Sequence, residues 1–475
     1  MHYYIYPRNW DAEDIALNLG AIDEKITFSF IDDSDLEISL ESQKESIRSS
    51  DSIILIASKY RYFELAKKLE TNGIQNYVDG LKFCANKINT HYKKYLQEQY
   101  GTRYSVGLLV TQLPHSEHIS AIIAELQNRK IPIVFFVSSE QTYKRYSTEF
   151  NGIPVIMSRC DLISEISFVT LMHAMTHYVK IHSNVVSILN PQGLLDPVQN
   201  YFYFSRDCAD SLIGSRVGFD YIFCHTKKML EFYGAKLSHL IHRNQLVPVG
   251  YPSLDSYIQS YKDVVGNTDS SELDRKSVIV AFTVSITKNN RDVCSLDIET
   301  LKELVENLLK KYKVIFRPHP ESGKKKFMLE VVEYFSKLYR KDRFVYDETP
   351  RLSSELMQEA LAIVGNQTSL LQTFPYTTLK RGIIFVKERS IFKDSGLQPN
   401  DLADNVVHKL AYTVFDVLEG LEEIQRENLE NVASQILQAR EREIFNVGCS
   451  SEKIVDFFES VIARKKKEEA FDEVC

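Results

Sequence analysis

Short apolar runs alternate with amphipathic stretches along almost the whole chain, and this alternation predicts parallel β-sheets joined by crossover helices. In residues 1–95 the runs HYYIYP, ITFSFIDD and SIILIAS predict strands. The stretches DAEDIALNLGA and YRYFELAKKLETNGI predict helices between or after them. The first strand-to-helix turn, PRNWDAED, has no GxGxxG pattern. We therefore expect a small α/β accessory domain with a packing or regulatory role rather than a nucleotide site.

Two larger blocks repeat the alternation. Residues 100–260 begin with YSVGLLVTQLPHSEHISAIIAELQNRKIPIVFFVS, which predicts a strand, a loop, a helix and a strand, and they close on NQLVPVGYPSLD. The polar stretch 256–276 predicts a linker. Residues 270–440 resume with SVIVAF, KVIF, LAIVG and GIIFV, and residues 441–475 predict a C-terminal helix. The pattern predicts an α/β fold with two Rossmann-like domains facing a cleft, plus the small N-terminal one. Two unrelated α/β domains in series are the alternative.

The amino-acid composition limits which binding partners and which cellular location are expected. A net charge of −7 gives no overall attraction to nucleic acid, so no such partner is expected. Seven cysteines without a CxxC pair or a Cys/His cluster predict a cytoplasmic protein without a metal site. The N-terminus lacks a signal-peptide pattern, and no apolar run reaches about 18 residues. The basic run 464–467 predicts either peripheral contact with anionic lipid or a solvated helix end.

The stretch YKVIFRPHPES holds the first candidate site. Pro318 lacks an N–H, so the predicted strand ends there. Arg317 and His319 each precede a proline, which favours extended backbone and holds both side chains at the carboxyl edge of the sheet. Arginine offers a planar fork to phosphate, and histidine donates a hydrogen bond or acts as an acid or base. The alternative is a rigid turn whose histidine caps a helix.

The second candidate lies about fifty residues further on, in IVGNQTSLLQTFPYTTLKRGIIFV. IVG predicts a strand, and SLLQTFPYTTLKRG predicts a helix. Gln367, Thr368 and Ser369 precede or open that helix, where free N–H groups and hydroxyls bind phosphate. Simple N-capping is the alternative interpretation. Together the two stretches predict a two-part pyrophosphate clamp.

These stretches resemble the CDP-glycerol glycerophosphotransferases of teichoic acid and capsule synthesis. The resemblance extends to FDYIFCHTKKMLEFYGAK and VGYPSLD and covers roughly residues 180–400. A His-Pro element with a later Ser/Thr pair also occurs in capsule sialyltransferases and Kdo transferases, which use CMP-activated donors. The resemblance implies a glycosyltransferase-B fold, a CDP- or CMP-linked donor, and a surface polysaccharide, teichoic-acid-like or lipid-linked glycan as acceptor. Such an enzyme works at the inner face of a bacterial membrane.

The resemblance also implies roles for individual residues. Arg317 and His319 would contact the phosphates of the donor, and Thr368 and Ser369, beside Gln367, would hold them at the helix start. No cofactor is required, since the helix dipole and basic groups neutralise the departing phosphate. Two residues of VGYPSLD are implied to shape the cleft, Gly250 and Tyr251.

The stretch SILNPQGLLDP departs from the family pattern. The family has His-Gly-Thr-Pro there, with the histidine as the expected general base, whereas this chain has Gln192 and Gly193. Glutamine does not accept a proton, so another group must take it from the acceptor hydroxyl. The candidates are His115 and His118, after the first strand of the second block, and Asp196. The histidines are alternatively helix caps or polar contacts.

Two other classes of function stay open at this point. A nucleotide-sugar epimerase or hydrolase of the same fold would consume the donor without an acceptor. A non-catalytic protein would bind nucleotide or glycan without turnover.

Overall fold

The computed structural model describes residues 1–110, 116–157, 162–163, 167–173, 185–191, 193–195, 219–238, 241–266, 276–282, 297–319, 323, 326–366, 368–386 and 399–472. They form three separate sheets of four, seven and six strands. Every strand pairing between the named strands is parallel. The predicted α/β class with parallel sheets is confirmed. Each sheet lies inside one predicted segment, and the segment boundaries themselves stay predictions.

The small N-terminal sheet has the strand order β2-β1-β3-β4. Its elements are β1 His2–Tyr6, α1 Trp10–Ile22, β2 Thr27–Phe30, α2 Leu40–Arg48, β3 Ile53–Ile56, α3 Tyr62–Thr71, β4 Tyr77–Asp79 and α4 Gly80–Tyr100. Asn18, buried on α1, bonds to the backbone of Met157 through both ends of its amide, at 2.8 Å from Oδ1 to the N–H and at 3.4 Å from Nδ2 to the carbonyl. This contact holds the small sheet against the edge of the next one.

The second sheet has the order β11-β10-β9-β8-β5-β6-β7. Its elements are β5 Tyr104–Val110, α5 Ser116–Asn128, β6 Ile133–Val137, α6 Glu140–Glu149, β7 Val155–Met157, β8 Ser167–His173, β9 Val186–Asn190, β10 Tyr221–Cys224, α7 Lys227–Lys236, β11 Leu246–Pro248 and α8 Pro252–Gly266. Every residue of β5 and β6 is buried. Complete burial is typical of parallel strands with helices on both faces, and it explains why these strands read as continuous apolar runs.

The third sheet has the order β14-β13-β12-β15-β16-β17. Its elements are β12 Ser277–Ala281, α9 Ile298–Leu309, β13 Lys313–Phe316, α10 Lys326–Leu338, β14 Phe344–Tyr346, α11 Ser354–Glu359, β15 Ala360–Gly365, α12 Leu370–Thr378, β16 Gly382–Phe385, α13 Pro399–Leu402, β17 His408–Ala411 and α14 Val414–Arg426. Two helices follow, α15 Leu429–Glu443 and α16 Ser450–Asp472.

Both large sheets share the doubly wound order, in which the chain starts in the middle and reverses direction across the sheet. In the third sheet the reversal falls between β12 and β15, and in the second between β5 and β8. Ligands of open α/β sheets bind outside the carboxyl ends of the strands at such a reversal. The fold therefore fixes where a ligand site is expected before any side chain is considered.

A shared hydrophobic cluster joins the two large domains. It combines Leu194, Tyr251, Leu254 and Ile258 with Tyr376, Val407, Val432, Ile436, Ala439 and Ile444. Beside it, the guanidinium of Arg351 lies 3.9 Å from the ring centroid of Tyr257. Burial of this apolar surface, reinforced by a cation–π contact, stabilises the junction under the cleft.

Helix α16 returns to the second domain, where it packs on α5 and β8. Both oxygens of Asp255 accept hydrogen bonds at its start, from Gly448 N at 2.7 Å and Ser450 N at 2.9 Å. Near its end, Arg464 donates to the Tyr221 hydroxyl at 2.7 Å, and Lys466 lies above the ring of Tyr104. Part of the basic run therefore contacts the protein itself, and membrane contact by this helix stays a prediction.

His408 is a buried, uncharged group in the third sheet. Its Nε2 lies 2.8 Å from the Leu371 carbonyl, which requires a hydrogen on that nitrogen, and its Nδ1 has no partner within the described residues. Burial lowers the pKa of the imidazole to about 4, and the bond to Leu371 opposes this only in part. Because the native state excludes a proton that the unfolded chain binds near its ordinary pKa of about 6.5, stability is lost as the pH falls through that interval.

We predict that replacing His408 with glutamine flattens the pH dependence of stability. From about pH 7.5 to about pH 5 the wild-type chain should lose about 2 kcal/mol more than the His408→Gln variant, from the shift to about 4. Urea unfolding followed by circular dichroism at both pH values measures this. Parallel losses in the two proteins would show that His408 is not the responsible group.

Candidate functional site

The RPHP stretch leaves the carboxyl end of β13 and continues along the end of β12. Arg317 N donates to the Val280 carbonyl at 2.9 Å, and His319 N donates to the Phe282 carbonyl at 3.0 Å. The His319 side chain is exposed, and the His319 carbonyl accepts a hydrogen bond from Gly323 N at 2.8 Å. Two backbone hydrogen bonds therefore hold His319 at the edge where the strand order reverses.

The Arg317 side chain is buried and forms hydrogen bonds with the loop that follows β14. Its Nη1 lies 2.6 Å from Asp347 Oδ2 and 3.2 Å from the hydroxyl of Thr349, and its Nη2 donates to the Pro350 carbonyl at 3.0 Å. Arg317 is 8% exposed and Asp347 is 5% exposed. This buried ion pair favours a positioning role for Arg317, which stiffens the end of β13. Direct contact of Arg317 with phosphate stays a prediction.

A cavity of about 450 Å³ opens beside this ion pair. Its lining includes Arg317, Pro318, Leu329, Tyr346 and Glu348. Burial, followed by the nearby Glu348 and Asp347 carboxylates, raises the pKa of the Tyr346 phenol. Tyr346 therefore keeps its proton and offers a hydroxyl donor to the cavity at neutral pH.

The second candidate stretch follows β15, on the other side of β12. A Cβ on Gly365 would lie 2.1 Å from the Ala281 carbonyl, so only glycine allows β15 to approach β12 at this point. Thr368 is buried, and its Oγ1 accepts from Leu370 N at 3.3 Å. Ser369 is exposed and makes no side-chain capping bond at the start of α12.

The two candidate stretches leave the same sheet edge. Because β13 and β15 are the two neighbours of β12 and all three strands are parallel, the ends of β13 and β15 lie about 10 Å apart. A diphosphate can span that distance. The topology therefore brings His319 and the start of α12 to one region of the sheet edge, and their joint role in binding phosphate stays a prediction.

The second domain meets this region through Gly193. A Cβ built on Gly193 would lie 3.6 Å from the Cβ of Ser369. The loop after β9 and the start of α12 are thus in van der Waals range across the domain boundary. Gly193, predicted from its place in the divergent motif, lies directly beside Ser369.

Tyr251 belongs to the apolar cluster at the junction of the two domains, and Gly250 directly precedes it. Gly250 has φ of +90°, and a Cβ on it would lie 2.3 Å from the Phe445 carbonyl. Its own carbonyl is 2.6 Å from Nδ1 of the buried His225, whose Nε2 is 2.9 Å from the Pro191 carbonyl. His225 therefore ties the ends of three strands together, and Tyr251 packs against its ring.

Several predicted residues lie outside the described part of the chain. They are His115, Gln192, Asp196 and Gln367. The backbone of His118 lies in the first turn of α5, and its side chain is outside the description. The identity of the general base stays a prediction. Within the residues described, no group of His, Cys, Asp or Glu side chains is arranged to hold a metal ion.

The Lys-Arg-Gly segment after α12 is structural. The buried ammonium of Lys380 donates to three carbonyls at the end of α11, those of Met357, Gln358 and Ala360, at 2.6 to 2.9 Å. Arg381 pairs with Glu427 at 2.6 Å. This part of the resemblance therefore reflects packing of the helices around the site.

Sequence reasoning missed the partners that fix the site. Asp347 and Thr349 were not singled out, although DET directly follows the RFVY strand and ends at the same sheet edge. That position was the available signal for Asp347. Asp255 and His225 gave no such signal, because their roles depend on contacts with distant segments.

Solved structures of known proteins resemble this fold at low sequence identity. A structure of the wall teichoic acid polymerase TagF soaked with CDPG matches with a TM-score of 0.52 and 13% identity, covering 86% of this chain and 98% of that chain. Another TagF structure matches with a TM-score of 0.50 and 14% identity, covering 86% of this chain and 100% of that chain. A putative UDP-N-acetylglucosamine 2-epimerase from Listeria monocytogenes matches with a TM-score of 0.48 and 11% identity, covering 76% of this chain and 97% of that chain.

No family model matches the sequence, and no curated protein matches it. The structural matches together with the strand order establish the fold: this chain has the glycosyltransferase-B fold, with two Rossmann-like domains, a cleft between them and a small N-terminal domain. The fold predicted from the sequence is confirmed. Within the described residues, no helix is both long and apolar enough to cross a membrane.

We predict that Arg317 and Asp347 stabilise the protein as a pair. Removing either partner strands a buried charge, so Arg317→Ala and Asp347→Ala should each cost about 3–5 kcal/mol, and the double variant should cost clearly less than their sum. Urea unfolding of the four proteins measures the cycle. The exposed pair Arg340–Asp342, at 3.5 Å, provides the control, because Arg340→Ala should have almost no effect.

The opposite pattern would contradict the positioning role. If Arg317→Ala unfolds at the wild-type urea concentration and loses nucleotide binding, the guanidinium contacts the ligand directly.

Proposed function

We propose that this chain is a transferase that moves a polyol-phosphate or sugar from a cytidine-nucleotide donor, CDP-glycerol-like or CMP-linked, to a surface polysaccharide or lipid-linked glycan. The observation that carries the proposal is the approach of Gly193 to Ser369 across the domain boundary. This contact places the start of α12 at the boundary between the two large domains. An activated donor on one domain and an acceptor from the other meet at such a boundary.

The third domain would hold the donor phosphates. The N-terminus of α12 carries a partial positive charge from its aligned peptide dipoles, while the N–H groups of Leu370, Leu371 and Gln372 already bond to Thr368 and Ser369. The Ser369 hydroxyl adds a donor that is not used for capping. His319, exposed on a stiff loop across β12, would donate a hydrogen bond to the departing phosphate. Charge on the leaving group is then neutralised without a metal ion being invoked.

The second domain would supply the acceptor and the base. The base must reach the acceptor hydroxyl directly or through one water. His115, His118 and Asp196 remain the candidates for it. Gln192 stands where the resembling family has its histidine, and so the proposal leaves the transferred group open between polyol-phosphate and sugar.

We predict a cytidine-selective thermal shift that depends on His319. CDP or CMP should raise the melting temperature of the wild-type chain more than UMP, UDP or GDP do. A ligand at about 100 times its Kd stabilises the native state by about 2.7 kcal/mol, which is enough to measure as a shift in melting temperature. The shift should be lost or strongly reduced in His319→Ala. His242→Ala is the matched control. His242 is exposed and lies before the amino end of β11, away from the carboxyl edge of its sheet, so this variant should keep the full shift.

Three other outcomes separate the alternatives. A uridine-selective shift with donor breakdown in the absence of acceptor would favour an epimerase or hydrolase. A cytidine shift without turnover on any acceptor would favour a binding protein. An absence of any nucleotide shift would remove the basis of the proposal.

We also predict that the size of residue 193 controls access to the start of α12. Gly193→Ala should bind CDP as the wild type does, because its Cβ meets that of Ser369 at 3.6 Å, an ordinary contact. Gly193→Leu should weaken CDP binding on the order of tenfold, since the larger side chain must occupy the space beside Ser369. Isothermal titration calorimetry measures both. Equal affinity in all three proteins would place the phosphates elsewhere.

A further inference from the structure

The small N-terminal domain exposes four large apolar side chains at one edge of its sheet. They are Trp10 at 79%, Leu36 at 86%, Tyr60 at 91% and Phe63 at 85% exposure. Trp10 follows β1, Leu36 follows β2, and Tyr60 and Phe63 follow β3. Since β2, β1 and β3 are adjacent parallel strands, these side chains share the carboxyl edge of the sheet. We call these four residues the aromatic surface.

Hydrogen bonds tie the loops that carry the aromatic surface. Asn9 Nδ2 donates to the Ala57 carbonyl at 2.8 Å, which joins the loop after β1 to the loop after β3. Asp33, after β2, accepts from the Tyr6 hydroxyl at 2.5 Å and from Lys68 of α3 at 2.5 Å. The surface is thus built on a connected scaffold, and holding it in place for a partner costs little entropy.

A hydrogen bond spans the point of this edge where a ligand crevice is expected. The order β2-β1-β3-β4 places the reversal between β1 and β3, where a nucleotide would otherwise bind. Asn9 occupies that point, because its Oδ1 accepts from Ala12 N at 2.9 Å and caps α1 while its Nδ2 bonds to Ala57. The capped helix start leaves a protruding apolar surface in place of a phosphate site.

Charges of opposite sign flank the surface. The loop after β2 is acidic, with Asp32, Asp35 and Glu37, and the loop after β3 is basic, with Lys59 and Arg61. Because β1 lies between β2 and β3, Trp10 lies between the acidic and the basic loop. A twofold rotation about an axis near Trp10 would bring the acidic loop of one copy against the basic loop of the other. Arg61 pairs with Glu64 on an exposed face, and exchanging such a pair costs little.

We propose that the aromatic surface is a twofold interface between two copies of this chain. Trp10 packs near the axis against its symmetry mate, Leu36 faces Tyr60 and Phe63 of the second copy, and the charged loops pair across the rim. Exposed Trp and Tyr at the centre of a surface with a charged rim is the composition of interface hot spots. The charges of both signs give no net attraction to a polyanion or an anionic lipid surface, which favours a self-complementary partner.

Trp10 is the only tryptophan of the chain, so it reports directly on this surface. As the concentration of the full chain rises from about 0.1 µM to about 100 µM, we expect the mass from light scattering to double and the Trp10 emission to shift to shorter wavelength in parallel. Trp10→Ala should weaken association by on the order of 30-fold or more. Phe415→Ala is the matched control, since Phe415 is 70% exposed on α14, and it should associate as the wild type does.

A charge exchange tests the twofold arrangement itself. Asp35→Lys with Glu37→Lys gives a chain with two basic loops, and Lys59→Glu with Arg61→Glu gives a chain with two acidic loops. Each double variant should stay monomeric alone, and an equal mixture should form a heterodimer, because unlike loops then face each other twice. Restored association in the mixture distinguishes this interface from variants that merely fail to fold.

Several results would overturn the proposal. One is a chain that stays monomeric at every concentration. Another is a dimer that Trp10→Ala leaves intact, which would place the interface elsewhere. A Trp10 emission shift produced by phospholipid vesicles or by an oligosaccharide, without self-association, would assign the surface to a membrane or a glycan.

Discussion

The candidate site depends on the end of β12, a short strand that both halves of the site use as their support. On one side, the backbone carbonyls of Val280 and Phe282 accept hydrogen bonds from the N–H groups of Arg317 and His319. On the other side, β15 comes so close to β12 that only glycine fits at position 365. A parallel sheet leaves its strand ends on one edge, and these contacts turn that edge into a fixed frame. The proposal places a diphosphate between the His319 and Ser369 side chains at this edge.

Close packing also holds the two domains together. The Gly-Tyr-Pro segment after β11 has no room for a side chain at Gly250, and Tyr251 belongs to the apolar cluster shared by both domains. Asp255, one turn further on, fixes the start of the helix that returns to the second domain. A cleft anchored at its base in this way can keep Gly193 next to Ser369 while the rest of the cleft admits substrates. The proposed transferase activity would need this combination, because such an enzyme must exclude water yet accept a glycan.

Sequence periodicity was sufficient to predict the fold and the sheet edge where the candidate site lies. Buried parallel strands are apolar along their whole length, so runs such as SIILIAS and KVIF identified β3 and β13 directly. The prolines around His319 likewise marked the strand end. What the sequence did not provide are the long-range partners. Asp347 lies 30 residues from Arg317, and its choice as the ion partner depends on which strand lies beside β13. The basic run near the C-terminus is another case, since its contacts with Tyr221 and Tyr104 arise only from the return of α16.

A crystal structure of the chain soaked with CDP tests the central claim most directly. The account predicts the diphosphate at the start of α12, with oxygens within hydrogen-bond distance of the Ser369 hydroxyl and the His319 imidazole, and with Arg317 still paired to Asp347. A nucleotide bound at a different sheet edge, or phosphates turned away from both His319 and Ser369, would contradict it.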